Sequence, residues 1–274
     1  MRSALPALAL LLTTGPATAL PGPPHRIVSI NPCVDALLMQ VADADQIAGI
    51  SLYSKDPRAS SISQDQARRF PGVSASAEAI LARRPDLVIT GAYVAPSTLA
   101  ALRRIRIRLL QMPVPDTMAV SKGQIRTLAL AAGHADRGER LAEAIDAAAA
   151  RAQPPDKTLF PALIWQKGGL VPGAGTLADE LLRTAGYRNL SRDYGLKAWD
   201  VLPLERLAAR PPQLLLSGTD PELQDRLLGH PAMAQLKRRI RVADYPERLL
   251  HCGGPTIIEA LARLSEVRSQ SWRR

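Results

Sequence analysis

One stretch of this chain occurs twice, once in each half, and that repetition restricts the fold more than any other feature. Residues 78–91 read EAILARRPDLVITG and residues 205–218 read ERLAARPPQLLLSG. Glu, Ala, Arg, Pro, Leu and Gly recur at the same six offsets, with apolar residues or a hydroxyl matching at several positions between them. Each copy predicts a short helix opened by a carboxylate, ended by Pro, then a buried strand stopping at Gly. A unit recurring once, half a chain apart, is too widely spaced for a solenoid. It predicts two similarly built lobes with a cleft between them.

The chain of 274 residues is long enough for one large domain or two smaller ones. Its first residues carry a charged start at Arg2, the apolar run ALPALALLL and small residues ending in Ala17-Thr18-Ala19. That pattern predicts a secretory signal peptide over residues 1–19, too short to span a bilayer as a helix. No Cys stands near the cleavage point, so a soluble exported protein is expected rather than a lipid-anchored one. The formal net charge of +10 raises nucleic acid or an anionic ligand as partners, but the Arg residues are scattered rather than gathered in a stripe. No nucleic-acid partner is expected. Cys33 and Cys252 are the two cysteines, and in an oxidising compartment one disulfide is the default reading. A metal site using Cys252 and the adjacent His251 is the alternative.

Strands are predicted at 26–30, 46–51, 108–112, 158–165 and 240–242, besides those of the two repeats. Helical periodicity covers 34–41, 97–104, 120–133, 176–186 and 255–269, with a further helix ending near 228. Residues 53–69 and 187–200 read as irregular. This alternation predicts parallel, helix-covered sheets. Residues 135–153 (ADRGERLAEAIDAAAARAQ) are a strong helix former stopped by Pro154-Pro155, placed to connect the two halves. The expected organisation is an N-terminal α/β lobe at 25–133, a backbone helix at 134–153 and a C-terminal α/β lobe at 154–270.

Gly173-Ala174-Gly175-Thr176-Leu177-Ala178 fits the G-x-G-x-x-A phosphate-binding form after a strand. No acid-ending strand follows at the expected distance, so an ordinary tight turn is the expectation. Local motifs for a nucleophile elbow, a paired-His metal site or a hydrolytic triad are absent from the sequence, and the four His residues are dispersed. Aromatics make up only 4% of the chain, so each placement carries information. Tyr93 follows the first repeat's strand and Trp165 ends the strand opening the second half, where ligands of doubly wound sheets bind. Tyr53 and Trp199 fall in irregular segments of opposite halves, placed to grip a bulky ligand through ring contacts. Phe160 and Tyr187 are expected in the core. Glu78 and Glu205 stand at helix starts, where the macrodipole alone favours a carboxylate; they also offer two matched anionic points to a symmetric partner.

The whole predicted mature chain resembles the periplasmic substrate-binding proteins of iron-chelate and cobalamin ABC importers. The resemblance rests on RIVSI, AEAILARRPDLVITG, AGTLADELLRTAGYRNL, LPLERLAARPPQLLLSG and the terminal GGPTIIEAL. It implies two Rossmann-like α/β lobes joined by a single long helix, small hinge motion and a ligand cleft between the lobes. It implies that Glu78 and Glu205 dock onto Arg residues of a permease dimer driven by a cytoplasmic ATPase. Tyr53, Tyr93 and Trp199 match cleft positions of cobalamin-binding members, and Trp165 and Gln166 lie near further ones. The ligand is expected to be a metal chelate: a corrinoid first, then a ferric siderophore or haem, since Tyr93 could ligate haem iron. The protein is expected to be a periplasmic monomer with no cofactor of its own and no catalysis. An exported enzyme or a basic interaction protein on the same scaffold is the alternative. The NPCVD and HCGGP loops depart from common versions of their segments. Both are expected near the inter-lobe region, so a Cys33–Cys252 bond would tie the lobes together. No Arg cluster suited to an anionic siderophore is evident, Lys55 and Arg58 being the candidate cations.

Overall fold

The computed structural model describes residues 22–156, 158–218, 231, 236 and 238–272. The signal peptide expected at 1–19 and the helix expected to end near 228 lie outside the described residues. In the first lobe, β1 (Ile27–Ser29), β2 (Ile47–Ser51), β3 (Gly72–Val73), β4 (Leu87–Thr90) and β5 (Arg108–Gln111) form one parallel sheet ordered β3-β2-β1-β4-β5. Its helices are α1 (Pro32–Val41), α2 (Gln64–Arg68), α3 (Ala77–Leu81), α4 (Pro96–Arg104) and α5 (Met118–Ala132), followed by the long α6 (Ala135–Ala152).

The second lobe contains β6 (Phe160–Ile164), β7 (Leu170–Pro172), α7 (Leu177–Thr184), β8 (Tyr187–Asn189), β9 (Trp199–Val201), α8 (Leu204–Ala209), β10 (Leu214–Ser217) and β11 (Arg241–Asp244). Its main sheet is parallel with order β11-β10-β6-β8, while β7 and β9 pair antiparallel. A terminal helix spans Thr256–Trp272. The sequence repeat is therefore a repeat of topology. The first copy supplies α3 and β4, with β4 between β1 and β5; the second supplies α8 and β10, with β10 between β6 and β11. All four residues of β4 and of β10 are buried, as a parallel strand covered on both faces requires.

Two of the segments read as irregular are built. Residues 53–69 contain a 3-10 turn at Leu52–Lys55 and α2, whose start is a capping box between Ser63 and Gln66. The Lys55 ammonium donates to the carbonyls of Ala67 and Phe70 and closes this loop. Residues 187–200 contain β8, a 3-10 turn and the start of β9. Neither segment shows a regular apolar period, because each is held by caps and by strand pairing distant in sequence.

The helix α6 buries Leu141, Ala142, Ile145, Ala148 and Ala152 and turns its charged side chains outward. It packs on α5, on α1 and on the terminal helix. At Gly138 a Cβ would lie 2.5 Å from the Ala129 Cβ, so α5 and α6 approach closely only because this position has no side chain. Glycine inside a helix costs about 1 kcal/mol relative to alanine, which the closer packing offsets.

Asp35 on α1 is completely buried. Its Oδ2 accepts from the Ser51 N–H at 2.9 Å and the Ser54 hydroxyl at 2.6 Å. Burial raises this carboxyl to about 7, against the opposing pull of its hydrogen bonds and of Lys55. A proton held by the folded chain is lost from the unfolded chain above about pH 4. Stability should therefore fall as pH rises from about 4 to 7 and level off above that, by up to about 1.4 kcal/mol per pH unit. Asp35→Asn removes this slope. Thermal unfolding of both proteins across pH 4–8 should show the wild type losing ground to the variant within that window; parallel curves would reject the assignment.

Candidate functional site

A cavity of about 490 Å³ lies between the lobes. Its first-lobe wall is Tyr93, from the loop after β4, with Val114, Pro115 and Asp116 from the loop after β5. The second-lobe wall is the start of α7, Ala198-Trp199 at the start of β9, and residues 249–253 after β11. Every strand feeding the walls of the two main sheets does so from its carboxyl end, where a parallel sheet leaves its connecting loops free to carry ligand contacts.

Tyr93 and Trp199 are brought into this one cavity, with 92% and 47% of their surfaces exposed. Aromatic surface left uncovered on both sides of a cleft offers ring faces to a ligand. Trp199 is held by strand pairing, opposite Pro172 of β7. The other aromatics expected here lie elsewhere. Tyr53 is exposed but does not line the cavity. Trp165 is 1% exposed and belongs to the second-lobe core with Leu163, Val171, Leu202 and Leu215. The expectation of a cleft-facing Trp165 is corrected by strand period: it points to the same sheet face as Leu163, and the β7–β9 pair packs over that face. Gln166 is half-buried, its backbone bonded to Leu170 and Gly169, and it does not line the cavity. Tyr187 is buried as expected, donating its hydroxyl to the Leu264 carbonyl and meeting Phe160 edge to face.

Three contributors escaped the sequence reading. Asp116 and the Val114-Pro115 pair follow an edge strand, and the start of α7 forms the opposite wall. The helix signal at Thr176 was legible; its position across from Tyr93 was not. The phosphate-loop alternative for this turn fails chemically. Thr176 Oγ1 caps the Asp179 N–H, and the Asp179 carboxylate accepts from the Gly175 N–H at 3.2 Å, so an anion already sits on the helix start. His251 lines the cavity half-buried, and burial lowers its pKa below the ordinary value, Glu247 acting the other way. Burial thus favours its neutral form. Among the described residues no group of three or more His, Cys, Asp or Glu is placed to hold a metal ion, and no helix is long and apolar enough to cross a membrane.

Cys33 and Cys252 form a disulfide with Cα atoms 5.1 Å apart. Cys33 starts α1 in the first lobe, and Cys252 is part of the cavity wall in the second. The neighbouring loop reinforces the tie: the Gly254 N–H donates to Ser121 Oγ of α5 at 2.8 Å. Gly254 has a φ of +68°, and a Cβ there would stand 2.3 Å from Leu37, which explains the glycine at this step of HCGGP. Glu180 of α7 accepts from the Met118 N–H at the start of α5, a further link between lobes. Glu78 and Glu205 both occupy the second position of their helices, α3 and α8, and both are exposed.

Two parallel α/β lobes, a backbone helix and an apolar, aromatic cleft define a two-lobe solute-binding architecture. Residues 27–242 match the periplasmic binding protein family, and the chain belongs to it. A cobalamin-binding protein of Halobacterium salinarum is 24% identical over 219 residues, 76% of this chain; the chain spans 58% of that relative's length. The fold is shared with a periplasmic heme-binding protein from Roseiflexus sp. RS-1 in apo form (TM-score 0.72, 23% identity, covering 91% of this chain and 98% of that one). It is shared equally with a periplasmic vitamin B12 binding protein of Vibrio cholerae (TM-score 0.72, 17% identity, covering 93% and 100%).

The inter-lobe disulfide closes a long loop, and such bonds contribute about 2–5 kcal/mol. The Cys33→Ser/Cys252→Ser double variant should unfold lower by on the order of 10 °C, and reduction should reproduce that loss in the wild type only. Alkylation of the unreduced, denatured protein should add no mass; two added groups would refute the bond.

Proposed function

We propose that this chain is the periplasmic solute-binding component of an ABC importer for a metal chelate, a corrinoid first and a ferric siderophore or haem next. The observation that supports this is the meeting of exposed Tyr93 and exposed Trp199 in one inter-lobe cavity. Family membership and the cobalamin-binding relative agree with it. The lobes run over 25–133 and 154–270 about the helix at 134–153, and the leader at 1–19 directs export. The ligand is captured by burial between aromatic walls and is not transformed. Glu78 and Glu205 then guide docking on a permease dimer, each held on a rigid helix start on its own lobe. The protein acts as a monomer.

Intrinsic tryptophan fluorescence tests capture. Titration of the purified protein with cyanocobalamin, haemin and ferric siderophores, corrected for absorption by free tryptophan, should show saturable one-to-one quenching by one of them. Trp199→Ala should weaken that binding by about tenfold or more, as loss of a buried aromatic anchor does. No binding to any chelate would overturn the reading.

Docking is tested separately. Glu78→Gln/Glu205→Gln should leave chelate affinity within about twofold, because both side chains are exposed, solvated and outside the cavity lining. Uptake in cells carrying the cognate permease should be lost. Loss of affinity instead would assign the two carboxylates to ligand binding.

A further inference from the structure

We propose that the cleft selects an uncharged or cationic chelate and excludes anionic ones, with Asp116 as the selecting charge. This rests on the chelate-binding reading and narrows it. Among the described residues lining the cavity there is no Lys or Arg, and Asp116 is the one acidic side chain. That is notable in a chain with 35 Lys and Arg against 25 Asp and Glu: the protein is basic and its ligand wall is not.

Among the described residues, three cations that could have served an anionic ligand are committed elsewhere. Lys55 is bound to the carbonyls of Ala67 and Phe70. Arg58 is paired with Asp56 at 2.8 Å. Arg248, adjacent to the wall residue Leu249, is paired with Glu259. Lys197 precedes the wall residue Ala198 but does not itself line the cavity. Asp116, by contrast, is exposed and has neither an ion pair nor a side-chain hydrogen bond among the described residues. Burial disfavours a compensating positive charge on His251.

A carboxylate or catecholate brought into this space would lose water without gaining a cation and would face the Asp116 carboxylate. A corrinoid side-chain amide or a positive metal centre would meet a free acceptor instead. The described walls are mostly apolar, with Tyr93, Thr176 and His251 as the other polar side chains, so a single charge weighs heavily between ligands of similar shape.

Two corrinoids of the same shape and different charge make the test. Aquocobalamin, a cation in mildly acidic buffer, and neutral cyanocobalamin are titrated against the intact protein beside haemin, with its two carboxylates, and an anionic ferric tris-catecholate. Aquocobalamin should bind about fivefold tighter than cyanocobalamin at low ionic strength. The preference should shrink with salt and vanish in Asp116→Asn, while Asp116→Lys should turn it toward the anionic probes. Tightest binding of haemin or the tris-catecholate would overturn charge selection and leave the chelate-binding reading in place; binding of none would overturn both. An aquocobalamin preference that survives Asp116→Asn and comes with a shift of the cobalt absorption bands would assign the selection to coordination by His251 and refute the role of Asp116.

Discussion

The packing of α6 holds the rest of this structure in place. Its apolar stripe joins a single buried cluster that contains Ile27, Leu87 and Ile89 of the first sheet, Leu214 and Leu216 of the second, and Ile257, Leu261 and Leu264 of the terminal helix. Burial of each such side chain contributes on the order of 1.5–3 kcal/mol. Swinging the lobes apart would open a core, not a polar interface, and each exposed side chain would add to the cost. Buried residues of both lobes therefore belong to one core.

The cross-links at the cleft floor act in the same direction. The Cys33–Cys252 bond, the Gly254–Ser121 hydrogen bond and the Glu180–Met118 hydrogen bond all join the lobes, two of them where α5 or α7 begins. They fix the relative position of the loops that carry Asp116, His251 and Trp199. The two helix-start carboxylates, Glu78 and Glu205, stand outside the cavity lining.

Much of this fold is legible in the chain. The duplicated helix–strand unit reads directly as β4 and β10 in equivalent places of two parallel sheets, since a fully buried strand needs a continuous apolar run and both copies have one. The length, composition and Pro-Pro stop of α6 are equally plain, as is the location of Glu78 and Glu205 at helix starts, because these depend on neighbours a few residues away. Tyr93 was legible for the same reason: a residue just past a parallel strand's end has one place to be.

Tertiary structure alone decided the rest. Trp165 and Trp199 look alike in the chain, each near a strand end, yet the first is core and the second is cleft wall. The difference is the β7–β9 pair, which packs over one face of β6 and displays Trp199 outward. Asp116 has no sequence signature, because only the folding of the loop after β5 brings it to the cavity wall. The sequence by itself determined two lobes, their connector and the ends of the strands where a ligand could lie. Which side chains face that ligand, and with what charge, depended on contacts between segments far apart in the chain, and local periodicity carries no record of them.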